Sequence, residues 1–290
     1  MGIVSEIKDS FKEGGALTKL IYINAFVFLL VRLCEAFYSL SAESAYYPVP
    51  EWFSVPSNPA RILLKPWTSL TYMFLHYDFL HLVSNLLCLY WFGRIFVSFF
   101  EGRQLVTVYV AGGLCGALFF VVGSNVIPAL YPLSQSGFML GASASVMAVL
   151  FAVTRYAPDF RVNVVLIGEV RLKYLALAYF AFDVISIPAL QNAGGHLAHI
   201  GGAVLGFCIG YRWAVKGKPR ATGTGWNPFR RKHKMTVVYR RRPMTDMEYN
   251  YDKAMRTREV DRILDKVKSS GYASLTSEEK KKLFDASKNL

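Results

Sequence analysis

Long apolar runs separated by short polar connections fill the first three quarters of the chain. A helix needs about 20 predominantly apolar residues to cross the hydrocarbon core of a bilayer. Six runs approach this length and are each interpreted as a membrane-spanning helix; they cover about 17–38, 80–100, 105–127, 137–154, 174–190 and 195–213. The pattern therefore predicts an all-α, polytopic membrane protein with a bundle of six transmembrane helices.

The distribution of charge divides the chain into two parts. Charged residues make up 18% of the chain, fewer than the about 25% typical of soluble proteins. Residues 216–290 nevertheless hold 20 Lys and Arg against 9 Asp and Glu, a surplus of 11 out of the net charge of +13. We predict a cytoplasmic segment over 1–16, a membrane domain over 17–215, a basic flexible linker over 216–251 and a small cytoplasmic helical hairpin over 252–290.

The basic tail has two interpretations. It is either a solvated linker or a segment that contacts anionic lipid of the inner leaflet, where each basic side chain contributes about 1 kcal/mol. Nucleic acid binding is not expected. Within the hairpin, Thr276 and Glu279 have the spacing of a capping box, which predicts the start of the last helix.

Orientation in the membrane follows from the positions of Lys and Arg beside the spans. The connection between the fourth and fifth spans contains four of them, whereas residues 124–136 and 191–194 contain none. Basic connections stay in the cytoplasm. We therefore expect a multi-pass protein of the cell (inner) membrane with both termini in the cytoplasm. The loop over 41–66, rich in Pro and aromatic residues, is expected at the outer interface.

Four of the five histidines lie in or beside the second and sixth spans: His76, His81, His196 and His199. Ionisable residues inside a membrane are costly, so each is a functional candidate. A metal site is one interpretation of this group. The chain has no HExxH motif, and its four cysteines lie in apolar runs without CxxC spacing, so we expect neither a metal nor another cofactor.

A nucleophile and a base form the second interpretation. Ser143 lies in a run of small residues at the start of the fourth span, and a serine in such a run is usually a packing residue. His199 precedes Gly202 and Gly206 on one helix face, where small residues allow a neighbouring helix to approach closely. The glycine pattern therefore places His199 on the face of its helix that contacts another helix. Helical periodicity alone does not place Ser143 on the face of its own helix that would meet His199.

A pair of hydrogen-bond donors accompanies these residues in the second span. His81 and Asn85 are four residues apart and so share one helix face. Two donors directed at one point suit the oxyanion of an acyl-transfer intermediate. The alternative is that both side chains only tie helices together.

Taken together, these motifs resemble the rhomboid family of intramembrane serine proteases over about two thirds of the chain. The matching segments are Pro66-Trp67, His76-Tyr77-Asp78-Phe79-Leu80-His81-Leu82-Val83-Ser84-Asn85, Gly141-Ala142-Ser143 and His199-Ile200-Gly201-Gly202-Ala203-Val204-Leu205-Gly206. The resemblance implies that Ser143 is the nucleophile and His199 the general base. It also implies that His81, Asn85 and the Ser143 backbone N–H form the oxyanion hole. The family uses no cofactor and cleaves single-span membrane proteins.

The family pattern is a dyad, and we expect no third acid; Asp183 is interpreted as structural or pore-facing. Ser145 is expected to pack and His196 to be a neighbour of the base. Two positions depart from the family: Ala144 stands where Gly is usual, and Met147 where an aromatic is common. Both bear on the shape of the substrate pocket.

Two further classes of function remain open. One is a catalytically inactive rhomboid-like protein that binds membrane clients, in which Ser143→Ala would leave function intact. The other is a small transporter that uses the histidines as a proton relay, although the sequence lacks the paired broken spans of that class.

Overall fold

The computed structural model describes residues 3–41, 49–164, 167–189, 192–217 and 246–287. Most of the predicted linker over 216–251 and residues 42–48 of the outer loop lie outside these ranges. The chain divides into two compact units, Met1–Thr222 and Gly223–Leu290.

Helices dominate the described residues, with two short antiparallel strand pairs. The helices are α1 (Ile3–Glu13), α2 (Ala16–Ser41), α3 (Val49–Phe53), α4 (Pro59–Leu64), α5 (Thr68–Thr71), α6 (Phe79–Phe99), α7 (Gly102–Val126), α8 (Tyr131–Ser136), α9 (Ser143–Tyr156), α10 (Leu172–Ser186), α11 (Ala193–Lys216), α12 (Asp246–Ser270) and α13 (Ser277–Ser287). The strands are β1 (Val55–Pro56), β2 (Phe138–Met139), β3 (Arg161–Val164) and β4 (Gly168–Arg171); β1 pairs with β2 and β3 with β4.

Within the described ranges, five helices are long and apolar enough to cross a membrane: α2, α6, α7, α10 with the turn after it, and α11. They match five of the six predicted spans, and the all-α polytopic bundle is confirmed. The fourth predicted span was wrong in its first part. Residues 137–142 form β2 and a loop, and the 14-residue helix α9 begins only at Ser143. The physical reason is Gly141, whose φ of +121° is incompatible with a helix.

The outer loop is held by aromatic and backbone contacts. The rings of Trp52 and Trp67 stack with centroids 6.5 Å apart, and the Lys65 ammonium lies 4.0 Å from the Trp52 ring. Strand β1, which lies between Trp52 and Lys65 in the chain, pairs with β2, so this loop is joined to the segment that leads into α9. The loop thus helps to fix the start of α9.

A row of glycines packs α11 directly against α9. A Cβ added at Gly202, Gly206 or Gly210 would overlap the carbonyl oxygen of Ala144, Ala148 or Ala152 respectively. Successive turns of the two helices therefore meet in the same order, and the helices run parallel. This register places His199, one turn before Gly202, near the beginning of α9.

We expect Gly206→Ala to destabilise the membrane domain by about 1–3 kcal/mol, because the new methyl group would meet the backbone of α9. Gly15→Ala is the matched control, since a Cβ there meets nothing within 4 Å. Thermal unfolding of both variants in detergent measures the difference. Equal unfolding midpoints for the two variants would contradict this account of the helix contact.

A buried polar contact joins α2 to α7. The side-chain amide of Asn24 donates to the Tyr109 hydroxyl oxygen at 3.2 Å, and the Tyr109 hydroxyl donates to the carbonyl oxygen of Met73 at 2.8 Å. Asn24 is fully buried. This contact stabilises the bundle by satisfying polar groups that water does not reach.

In the C-terminal unit, the predicted capping box is confirmed. The Thr276 N–H donates to Glu279 Oε2 at 2.8 Å, and the Glu279 N–H donates to Thr276 Oγ1 at 3.3 Å. Hydrogen bonds from the Thr276 backbone and from Lys266 lower the pKa of Glu279 to about 2. Ile263 of α12 and Leu275 before α13 are both buried.

Candidate active site

A cavity of about 740 Å³ opens among α6, α9, α10 and α11. Its lining includes all four side chains that the sequence singles out: Ser143, His199, His81 and Asn85. The structure therefore brings together three segments that are far apart in the chain.

Ser143 is the first residue of α9, and hydrogen bonds from two backbone N–H groups hold the loop before it. The Gly141 N–H donates to the Tyr72 carbonyl oxygen at 3.0 Å, and the Ala142 N–H donates to His76 Nε2 at 3.3 Å. The first N–H groups of a helix have no partner within the helix, and the N-terminal end of its dipole favours negative charge. The position of Ser143 thus suits a developing oxyanion.

His76 is a site residue to which the sequence assigned no specific role. Its ring is fully buried, and Nε2 accepts the Ala142 N–H one residue before Ser143. Burial, with a smaller contribution from His81, lowers the pKa of His76 to about 4. The ring is therefore neutral at ordinary pH, and a neutral imidazole nitrogen can accept this hydrogen bond.

The low pKa of His76 predicts a pH dependence of stability. In the unfolded chain its pKa is about 6.5, so between that value and pH 4 the unfolded state binds more protons than the folded one. The protonation of His76 therefore leaves the free energy of unfolding unchanged above about pH 6.5. As pH falls from 6.5 toward 4, it lowers that free energy by about 3 kcal/mol in all. We expect the unfolding midpoint of the wild type to fall more steeply over this interval than that of His76→Gln. Parallel curves for the two proteins would contradict the prediction.

His81 lies against the loop before Ser143. A Cβ at Gly141 would lie 2.8 Å from His81 Cε1 and 3.8 Å from Ser143 Oγ, so the missing side chain leaves room for both groups. Asp78 caps α6 by accepting the His81 backbone N–H at 2.9 Å. Asn85, 6% exposed, donates one side-chain N–H to the His81 carbonyl oxygen at 2.8 Å. Because an amide carries two such hydrogens, the second remains for the cavity.

His199 contacts an acid that the sequence analysis did not place there. The distance from His199 Nδ1 to Asp183 Oδ1 is 2.8 Å, and that from His196 Nδ1 to the same oxygen is 2.7 Å. Asp183 is 3% exposed and lines the cavity. The expectation of a histidine without an acid is therefore corrected. One feature of the sequence could have indicated this contact: Asp183 lies within an apolar span, where a carboxylate is costly unless it has a partner.

In the part of the chain that the structure describes, Asp183, His196 and His199 also form a group that could hold a cation. Their ligand atoms lie within 4.8 Å of one another, and two imidazoles with a carboxylate are a donor set that zinc accepts. The hydrogen bonds to Asp183 Oδ1 already pair both Nδ1 atoms. His76 and His81, the other members of the four-histidine alternative, are outside this group.

The two serines of the motif have different surroundings. Among the residues that the structure describes, Ser143 Oγ has no hydrogen-bond partner, although it faces the cavity with His199. Contacts between nucleophile and base are often long without substrate. Ser145 is fully buried and points toward α7, where a Cβ at Gly113 would come within 2.8 Å of its hydroxyl oxygen. Ala144 and Met147, the two departures from the family pattern, both line the cavity.

Comparison with known families identifies the membrane unit. The family model described as Rhomboid domain matches residues 64–215, slightly more than half of the chain. The chain belongs to the rhomboid family. A second model, described as a family of unknown function (DUF6576), matches residues 245–289.

Several curated rhomboid relatives are similar to this rhomboid protein. It is 30% identical over 161 residues to the presenilin-associated rhomboid-like protein A, mitochondrial, of Danio rerio, covering 54% of this chain and 39% of that protein. It is 28% identical over 146 residues to the RHOMBOID-like protein 12, mitochondrial, of Arabidopsis thaliana, covering 48% and 44%. For the presenilin-associated rhomboid-like protein of Rattus norvegicus the identity is 28% over 214 residues, covering 68% and 48%. The chain thus spans less than half the length of each of these relatives.

Proposed function

We propose that this rhomboid protein is an intramembrane serine endopeptidase that cleaves transmembrane segments of other membrane proteins. The supporting observation is the shared cavity, in which Ser143 at the head of α9 faces the same space as His199, His81 and Asn85. A nucleophile, a base and two donors are the parts that acyl transfer requires.

The proposed reaction has two steps. His199 Nε2 takes the proton of the Ser143 hydroxyl as Oγ attacks a peptide carbonyl carbon of the substrate. His81, Asn85 and the N-terminal N–H groups of α9 hold the negative oxygen of the intermediate. The protonated His199 gives its proton to the leaving amine, and the peptide bond breaks. Water, deprotonated by His199, then attacks the ester carbonyl carbon, the bond from that carbon to Ser143 Oγ breaks, and His199 returns the proton to Oγ, which regenerates the enzyme.

The proposed substrates are single-span membrane proteins. A transmembrane helix has its carbonyl groups hydrogen-bonded internally, so the scissile segment has to unwind before Ser143 can attack it. The cavity of about 740 Å³ has room for such an unwound segment. We propose that the enzyme lies in the cell inner membrane; the distribution of Lys and Arg beside the spans supports an orientation with both termini in the cytoplasm.

We propose that the basic tail, residues 216–290, contacts anionic lipid. Its excess of positive charge supports this, because it contains 20 Lys and Arg against 9 Asp and Glu. Truncation after residue 216 should weaken binding of the protein in nanodiscs to anionic vesicles, and added salt should weaken binding of the full chain. Binding that responds to neither change would exclude this contact.

The proposed activity is tested by incubating the purified full chain, wild type and Ser143→Ala, with a panel of single-span substrates in proteoliposomes. We expect the wild type to cut at least one of them within its transmembrane segment, and Ser143→Ala to cut none. Cleavage that persists in the variant would exclude the assignment. Capture of a substrate without cleavage by both proteins would instead support an inactive, client-binding rhomboid protein.

A further inference from the structure

Asp183 is a buried carboxylate in the lining of the cavity. It lies in α10, is 3% exposed, and is surrounded by the apolar spans of the bundle. An ionised carboxylate in such a position is costly unless hydrogen bonds satisfy it. The two contacts that satisfy it are the Nδ1 atoms of His196 and His199, at 2.7 and 2.8 Å from Oδ1.

These contacts determine where the protons of the two imidazole rings lie. An ionised carboxylate can only accept hydrogen bonds, so the hydrogen of each neutral ring belongs on Nδ1. The other nitrogen of each ring, Nε2, then carries a lone pair. For His199 this is the nitrogen that a general base needs free.

We propose that Asp183 is a positioning residue for His199, which fixes the Nδ1–H tautomer of that ring and its orientation toward Ser143. The proposal rests on the proposed protease function. During attack, the same carboxylate faces the positive charge that forms on the His199 ring. The chain thus has an acid–histidine–serine arrangement, with the acid supplied by a different helix.

His196 has a supporting part in this arrangement. It shares Oδ1 with His199, and its ring stands edge-on to that of His199 with centroids 6.0 Å apart. It is 8% exposed, and the Phe182 ring packs 5.9 Å from its own. The second hydrogen bond prevents the carboxylate from rotating away from His199.

The test compares Asp183→Asn and Asp183→Glu with the wild type as full chains. The asparagine has the shape of aspartate but no negative charge, and where its NH₂ group faces Nδ1 it donates there and favours the wrong tautomer of His199. We expect kcat to fall by about 10²- to 10⁴-fold in Asp183→Asn with KM little changed. Asp183→Glu retains an acceptor and should keep more activity than Asp183→Asn.

A spectroscopic measurement separates positioning from a purely structural role. In ¹⁵N NMR spectra of histidine-labelled protein in micelles, the His199 signals are assigned by their loss in His199→Gln. We expect the hydrogen on Nδ1 in the wild type and on Nε2 in Asp183→Asn. Asn24→Ala is the matched control: it also removes a buried polar contact, at a residue outside the cavity lining, and should lower the unfolding midpoint without changing kcat or the tautomer.

Two results would overturn the proposal. One is wild-type kcat in Asp183→Asn; the other is a reduced kcat with the His199 tautomer unchanged, which would make Asp183 only a structural residue. If the wild type cleaves no substrate, the protease function fails, but the tautomer measurement still decides the part played by Asp183. The two failures are therefore distinguishable.

Discussion

Replacing Ser143 or His199 by alanine is expected to reduce kcat by about 10⁶-fold, and the double variant should be no slower than either single one. The physical reason is that the hydroxyl and the imidazole work as one unit, so removing either already removes the activated nucleophile. Initial rates on one single-span substrate, with the wild type diluted to match, give the comparison.

Ser145→Ala is the matched control for that series. Its hydroxyl is two residues away on α9, fully buried and directed toward α7 rather than into the cavity. We expect its kcat to stay within a few-fold of the wild type. Loss of activity in Ser145→Ala with survival in Ser143→Ala would exchange the roles of the two serines.

Removing the side-chain amide of Asn85, one of the proposed oxyanion donors, is also expected to have a large effect. Asn85→Ala should lower kcat by about 10²- to 10³-fold, equivalent to about 2.7–4 kcal/mol of barrier, with KM little changed. The effect falls on kcat because the carbonyl oxygen becomes negative only in the transition state. The kcat and KM values of both proteins on the same substrate provide the test.

Ser84→Ala is the control for Asn85. The Ser84 hydroxyl, like the Asn85 amide, donates to the His81 carbonyl oxygen, at 3.0 Å, and Ser84 also lines the cavity. If the loss came from disturbing that carbonyl or α6 itself, both variants would be impaired alike. Equal kcat losses in the two variants would therefore remove Asn85 from the oxyanion hole.

Hydropathy was sufficient for five of the spans but not for the start of α9. The five long helices need only length and apolar composition, which the sequence displays directly. The early boundary at residue 137 was wrong because β2 pairs with β1, more than 80 residues earlier, and because Gly141 has a positive φ. The mean hydropathy of a segment contains no information about a distant strand partner or about a backbone angle.

Motifs that depend on local spacing were predicted well. The capping box at Thr276 and Glu279 forms as expected, since its two hydrogen bonds join residues three apart. The small-residue face of α11 was likewise evident from the recurrence of glycine. Its partner on α9 was not, because periodicity along one helix does not identify the helix that packs against it.

Asp183 and His76 show what sequence reasoning lacked at the site itself. Asp183 is 16 residues before His199 and lies on another helix. The packing of α10 against α11 brings Asp183 Oδ1 to 2.8 Å from His199 Nδ1. His76 reaches Ala142 across 66 residues of chain. The sequence shows Asp183 and His76 as polar residues in or beside apolar spans, where burial is costly. It does not show their hydrogen-bond partners, because these depend on tertiary packing.

The central claim is that the Ser143 hydroxyl is activated by His199. Its most direct test is labelling of the detergent-solubilised protein with a serine-directed fluorophosphonate, followed by peptide mapping of the adduct by mass spectrometry. We expect one adduct, on Ser143, which is absent from Ser143→Ala and forms much more slowly in His199→Ala. An adduct that persists in Ser143→Ala, or labelling that is as fast in His199→Ala as in the wild type, would contradict it.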